Sequence, residues 1–272
     1  MPELPEVETI CNSLRPQILE QSIVTVTIRD VKLRQPILQE LSKILPGQRL
    51  HSIKRRSKYI ILGADLGTLI IHLGMTGSLQ VKSSQHPVAK HEHFTINFAN
   101  SMALCYSDPR RFGLILWTTK SPWEHKLLKN LGCEPLARDF TAEFLHSHSN
   151  NRKCPIKQLL MDNSVAVGIG NIYAAEILFA AGINPWRQAA NITLEECYQL
   201  VKESKRILRL AIKSGGTTVR DYVDGWGNQG AFQKQLKVYG RAEQPCVNCQ
   251  TKLITAKLGQ RSTVFCPRCQ RA

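Results

Sequence analysis

The sequence has no apolar run approaching the ~20 residues that a membrane-spanning helix needs, so a membrane-embedded role is not expected. It also lacks a basic-then-apolar leader. Residues 1–8 (Met-Pro-Glu-Leu-Pro-Glu-Val-Glu) are acidic, and secretion through a signal peptide is not expected. Internal repeats and low-complexity tracts are missing, so a solenoid is not expected. Acid is scarce: 21 Asp and Glu stand against 36 Lys and Arg, a net charge of +15. The excess is +5 up to Asn150 and +10 beyond it. That imbalance points to a polyanionic partner, either nucleic acid or an acidic membrane surface. Nine cysteines are an odd number, so a fully paired disulfide framework is excluded. Five of them (Cys11, Cys105, Cys133, Cys154, Cys197) are scattered, as buried thiols are in a reducing compartment.

The 272 residues, 43% of them apolar, suffice for two domains and a small appendage. Residues 5–15 read as a helix: Pro5 suits the first turn, Glu6 and Glu8 suit the dipole, and Val7, Ile10, Cys11 and Leu14 share a face. Pro16 is expected to stop it. Strand-like runs follow at Ile23–Ile28, Lys58–Gly63, Thr68–Leu73, Ser78–Val81, His93–Phe98, Ala103–Ser107 and Gly113–Thr118. They predict a β-sandwich or barrel to about residue 120. From Trp123 the pattern turns helical, with helices expected at Pro155–Met161 and Ile172–Ala181. Thr193-Leu-Glu-Glu196 is a capping box opening a long helix, with Leu194, Cys197, Leu200, Val201, Ile207, Leu208 and Ala211 inward. Residues 217–236 read as a mobile polar loop.

The other four cysteines carry the strongest local signal. Cys246-Val-Asn-Cys249 and Cys266-Pro-Arg-Cys269 supply two thiolate pairs with the spacing of a closed, structural zinc site; two disulfides or four free thiols are the alternatives. Between the pairs, Leu253–Ala256 and Ser262–Phe265 read as a hairpin with Arg261 just past its turn. Arg261 is either a solvated loop arginine or a phosphate contact beside Lys252, Lys257, Arg268 and Arg271. Upstream, Val167-Gly-Ile-Gly-Asn171 precedes a helix start, where backbone N–H groups suit an anion. Asn171 there is a helix cap or a phosphate donor, with Arg152 and Lys157 supplying nearby charge.

Five motifs, in order along essentially the whole chain, resemble those of bacterial formamidopyrimidine-DNA glycosylases. They are Pro2-Glu-Leu-Pro-Glu-Val-Glu-Thr9, His72-Leu-Gly-Met-Thr-Gly77, Asp108-Pro-Arg-Arg-Phe-Gly113, Gly168-Ile-Gly-Asn-Ile-Tyr173 and the four-cysteine cluster. The resemblance implies an α+β fold: an N-terminal β-sandwich flanked by helices (1–122), then a helix–two-turn–helix domain with a lesion-capping loop (123–236) and a zinc β-hairpin (237–272). It implies a monomeric, cytoplasmic, nucleoid-associated bacterial repair enzyme that binds one structural Zn2+. Its substrate would be double-stranded DNA with oxidised purines or abasic sites, cleaved by β,δ-elimination after base excision.

By the same resemblance the catalytic residues are Pro2, as nucleophile once Met1 is removed, Glu3 as proton donor, Lys58 against a phosphate, and Arg261 as phosphate clamp. A secondary amine can displace the base and form an iminium that acidifies the neighbouring sugar proton. Met75, Arg110 and Phe112 match a triad that fills the gap left by a flipped nucleotide, although core packing is the ordinary use of a Met or Phe. His91 matches a further DNA contact, as do Arg152, Lys157 and Asn171, and residues 217–224 a segment folding over the extruded base. An oxidised-pyrimidine glycosylase of the endonuclease VIII type and a non-catalytic zinc DNA-binding protein are the competing readings.

Overall fold

The computed structural model describes residues 1–218 and 222–271. The chain forms two compact units: Met1–Asn130 with Ser214–Ala231, and Leu131–Lys213 with Phe232–Ala272.

The first unit is built on eight strands: β1 (Ile23–Ile28), β2 (Leu50–Arg56), β3 (Tyr59–Ala64), β4 (Gly67–His72), β5 (Ser78–Ser83), β6 (Glu92–Phe98), β7 (Met102–Ser107) and β8 (Leu114–Thr118). They form two antiparallel sheets, ordered β1-β6-β7-β5 and β2-β3-β4-β8. Ile23, Val26, Leu79, Phe94, Ile96 and Tyr106 of one sheet and Ile53, Ile60, Leu62, Leu69, Ile71 and Ile115 of the other share a single core. Helix α1 (Leu4–Ile18) adds Val7, Ile10, Leu14 and Ile18 to that core, and a short α2 (Leu41–Ile44) adds Leu41.

Each expected strand is present. One that was not expected, β2, reads Leu-His-Ser-Ile-Lys-Arg-Arg, too polar to announce itself; it exists because β3 supplies its hydrogen bonds and Leu50 and Ile53 face the core. Pro16 does not stop α1, which continues to Ile18. At the helix end a proline forfeits one hydrogen bond, and burial of Ile18 together with the Gln17 Nε2 bond to the Ser13 carbonyl (2.6 Å) offsets that loss.

A mobile polar loop was expected over 217–236; the described residues of 214–218 and 222–231 instead run as a strap over the first unit. The Thr217 amide donates to Glu6 Oε1 (2.8 Å), the Gly225 amide to Ser13 Oγ (2.9 Å), and the Val81 amide to the Gly225 carbonyl (2.9 Å). Residues 219–221, within the segment read as folding over an extruded base, lie outside the described residues.

The second unit contains α3 (Ala142–Ser149), α4 (Ile156–Leu160), α5 (Asn171–Ala180), α6 (Leu194–Lys213) and the hairpin β9 (Ile254–Leu258)–β10 (Arg261–Phe265). Helix α3 had no expectation attached to it. Helix α5 is buried on nearly every side, as its apolar sequence requires. Helix α6 is amphipathic and packs on α3 and α5. The Thr193 capping box forms, with Glu196 N–H donating to Thr193 Oγ1 (3.2 Å) and Thr193 N–H to Glu196 Oε2 (2.9 Å). Leu194, expected inward, is 47% exposed: it lies in the first turn, ahead of the stripe that begins at Cys197.

Buried Glu176 on α5 accepts the amides of Lys237 (2.9 Å), Val238 (2.9 Å) and Tyr239 (2.8 Å), fastening the approach to the hairpin. Substituting Glu176→Ala strands these donors, the Val238 amide among buried neighbours. We expect the unfolding free energy measured by urea denaturation to fall by about 2 kcal/mol.

Candidate functional site

The chain start is built into the first unit. Pro2 is buried, and Glu3 and Glu6 are only 4% and 2% exposed. Glu3 is the N-cap of α1, and its amide donates to Glu6 Oε2 (2.8 Å). The other Glu6 oxygen takes the Thr217 amide of the strap, and the Tyr222 hydroxyl donates to the Glu6 carbonyl (3.3 Å). One carboxylate thereby ties the N-terminus to a segment more than 200 residues away. The strap contact had no local signal in the sequence.

Lys58 follows Ser57, whose φ of +55° makes the tight β2–β3 turn. That turn is fixed to α1: Arg55 Nε donates to Glu8 Oε2 (2.8 Å) and Arg55 Nη1 to the Ser57 carbonyl (3.0 Å). Lys58 is 8% exposed. Its ammonium field is felt at His72, where burial first, then Lys58 and Arg34, pull the imidazole pKa down to about 4. His72 Nδ1 accepts the Gly74 amide (3.0 Å), so the neutral ring also shapes the next turn.

Two turns are joined by Asp108, which is fully buried. Its Oδ1 takes the Thr76 hydroxyl (2.7 Å), and its Oδ2 takes the Gly113 amide (2.8 Å) and the Tyr106 hydroxyl (3.3 Å). Gly74 has φ +61°, and a Cβ there would lie 2.6 Å from the Phe112 backbone. A Cβ on Gly77 would meet the Leu73 carbonyl at 2.2 Å. The turns can close this tightly only with glycine at both places. Their outward residues are Met75, 46% exposed, Phe112, 48% exposed, and Arg110, whose guanidinium lies 4.7 Å from the Phe112 ring centroid. Met75 and Phe112 are thus surface residues and not core. His91 is half-buried, and its carbonyl accepts the Asp108 amide (3.1 Å).

In the second unit Lys157 is 1% exposed. Its Nζ donates to Asn171 Oδ1 and to Thr263 Oγ1, both at 2.7 Å, while Asn171 Nδ2 donates to the Ser262 carbonyl (3.0 Å). Asn171 is therefore not the cap of α5; Gly170 is, and Asn171 links α5 to β10. Arg152 and Arg261 are exposed, Arg261 opening β10 opposite Leu258. A cleft of about 180 Å³ between α4 and the hairpin turn is lined by Lys157, Met161, Gly259 and Arg261 among others.

The four clustered cysteines converge, their sulfurs all within 4.8 Å of one another. Cys246 and Cys269 sulfurs are 3.8 Å apart and those of Cys249 and Cys266 3.5 Å. A disulfide requires about 2.05 Å. Four sulfurs at about 2.3 Å around a tetrahedral zinc lie about 3.8 Å from each other. The donors fit zinc, and the finger holds one structural ion. Amides of Asn248 (3.4 Å) and Cys269 (3.3 Å) point at Cys246 and Cys266 sulfurs, offsetting thiolate charge.

Two sheets capped by an N-terminal helix, a helical unit and a zinc hairpin define the DNA glycosylases that carry a helix–two-turn–helix domain and a zinc finger. Residues 1–115 match the model of the formamidopyrimidine-DNA glycosylase N-terminal domain, residues 131–223 that of its H2TH domain, and residues 243–272 a zinc finger found in FPG and IleRS. The formamidopyrimidine-DNA glycosylases of Pseudomonas aeruginosa and Pseudomonas putida are 50% and 49% identical over 271 residues, 100% of both chains in each case. Lactococcus lactis Fpg in complex with abasic-site DNA superposes with a TM-score of 0.91 at 32% identity, covering 99% of this chain and 100% of that one. The Thermus thermophilus MutM (Fpg) protein gives 0.87 at 34% identity over 99% and 98%. The chain belongs to the formamidopyrimidine-DNA glycosylase family.

Two measurements follow from this geometry. X-ray absorption at the zinc edge should give four sulfur neighbours at about 2.3 Å, and Cys266→Ala should release the metal and melt the hairpin. For His72, the folded pKa lies below the ordinary value of 6.5, so the unfolded chain takes the proton first as pH falls. Its contribution to stability is full above about 6.5 and is lost as pH falls through about 4. An NMR titration should find the His72 ring neutral at pH 6, and Lys58→Met should raise its pKa.

Proposed function

We propose that the chain excises oxidised purines from double-stranded DNA and then cleaves the abasic strand, using the nitrogen of Pro2 after removal of Met1. The observation that carries this reading is the burial of the chain start: Pro2, Glu3, Glu6 and Lys58 are all inside the first unit, where an ordinary terminus would be solvated. While Met1 is attached, the Pro2 nitrogen is an amide and inert. Once freed, it attacks the sugar's anomeric carbon, the base departs, and the nitrogen–carbon bond becomes a cationic iminium. Loss of the adjacent sugar proton then expels one phosphate, and loss of a second sugar proton further along the carbon chain expels the other.

Glu3 delivers the proton that opens the sugar ring. Lys58, on a turn bound to α1 through Arg55 and Glu8, pairs with a phosphate beside the lesion. Arg261 stays charged and stabilises the departing phosphate electrostatically. Met75 and Phe112 enter the stack vacated by the flipped nucleotide, and Arg110 pairs with the orphaned base. His91, Arg152 and Asn171 bind the backbone. Lys157 supports that site from beneath by holding the Asn171 amide, its charge adding to the local field. Residues 1–122 act as the catalytic domain, 123–236 as the DNA-binding domain with the lesion cap, and 237–272 as the finger. The work is done by a monomer on chromosomal DNA in the bacterial cytoplasm.

Relatives support the substrate class. Structures of Lactococcus lactis Fpg variants hold Fapy-dG-containing DNA, and the wild-type enzyme has been solved with an oxidised pyrimidine. Oxidised pyrimidines are therefore the second substrate class to compare. Borohydride added during turnover should trap a covalent enzyme–DNA adduct, which mass spectrometry should place on Pro2. An acetyl-blocked terminus should give none, and Glu3→Gln should slow excision about 100-fold or more. DNA binding with no adduct and no strand scission would leave only the binding protein. Faster removal of thymine glycol than of 8-oxoguanine from matched duplexes would make the chain a pyrimidine enzyme.

A further inference from the structure

Away from the chain start and the finger, His86, Glu92 and Cys105 bring one ligand atom each within 4.8 Å of the others. His86 lies in the β5–β6 connection, Glu92 opens β6, and Cys105 lies in the middle of β7. Glu92 and Cys105 are buried, and the His86 side chain is 10% exposed, so the cluster opens to solvent on the imidazole side.

The hydrogen bonds set the direction of each donor. His86 Nδ1 lies 2.9 Å from the Ser83 carbonyl, which can only accept, so Nδ1 carries a proton. Nε2 then faces Glu92 Oε2 at 2.8 Å and Cys105 Sγ at 3.4 Å. Glu92 Oε1 is held by the Thr95 hydroxyl (2.8 Å) and Arg29 Nη1 (3.1 Å), which orients Oε2 inward. A nitrogen, an oxygen and a sulfur thus converge on a point that calls for a cation. Without a metal, the proton shared across the 2.8 Å contact of His86 Nε2 with Glu92 Oε2 fills that need.

We propose that these three side chains form a second zinc site, with a fourth position open to water. The donor set is imidazole, carboxylate and thiolate, all zinc ligands, and the other imidazole N–H is anchored on a backbone carbonyl as ligating histidines usually are. Binding replaces two protons, one in the His86–Glu92 contact and one on the Cys105 thiol, by one dication. The net charge of the cluster is unchanged, so the neighbouring Arg29 meets no additional repulsion. The two protons pass to solvent and no electron moves. The ion would pin the 84–91 connection, which carries His91, onto strands β6 and β7.

The test uses the full chain with its finger loaded, dialysed against buffered Zn2+ and analysed for metal and protein. Two zinc ions per chain are expected, the second adding nitrogen and oxygen neighbours to the four-sulfur absorption spectrum. Cys105→Ser and His86→Ala, the latter on a connection outside the sheets, should each retain one. Amide hydrogen exchange across residues 84–91 should slow on zinc addition in the wild type only. One ion per chain in the saturated wild type, or two ions retained by both variants, would overturn the assignment.

Discussion

Everything at the chain start depends on the carboxylate of Glu6. One oxygen takes the Glu3 amide, the other the Thr217 amide, and both bonds lie in the interior. An amide bond to a charged acceptor contributes more than one to a neutral acceptor, about 1.5–3 kcal/mol. Leaving the same carboxylate buried without its partners would cost more than it gains. Glu6 takes both of these bonds only when the N-terminus and the strap are in place, so each supports the other. The residue next to the nitrogen proposed as nucleophile is therefore held by the fold's own hydrogen bonds.

A similar economy governs the exposed triad. Met75, Arg110 and Phe112 present large apolar and charged surface to solvent, which by itself stabilises nothing. Their geometry comes from beneath, from Asp108 bonding Thr76, Gly113 and Tyr106, and from glycines that let the two turns touch. Rigid support under exposed side chains suits the wedge role proposed for them, because ordering a wedge on binding would otherwise draw on the binding free energy.

Sequence patterns revealed the parts of this architecture whose causes are local. Alternation gave β1 and β3–β8, the Thr193 box gave α6, and paired cysteines gave the finger. Elements decided by tertiary partners were silent. Strand β2 is basic and polar and exists by pairing with β3, and α1 runs past Pro16 because Ile18 has a core to enter. For the site, the catalytic candidates were readable only through resemblance, since a proline and a glutamate at a terminus carry no pattern. The strap's attachment was hidden for another reason: Thr217 and Glu6 are 211 positions apart, and no periodicity spans such a separation.

The finger has the opposite logic to the sandwich. Its core is a handful of residues, Val238, Leu253 and Val264 with the buried cysteines, packed against Ala175 and Phe179 of α5. A two-stranded hairpin with so little apolar surface is marginal in water. Zinc supplies the missing cohesion through four bonds, which fixes β10 at its cysteine end, while Lys157 and Asn171 fix it through Thr263 and Ser262. Arg261 immediately precedes those two anchored residues. Its position is therefore set by a metal on one side and a buried ammonium on the other, which leaves the arginine exposed for the phosphate contact proposed for it.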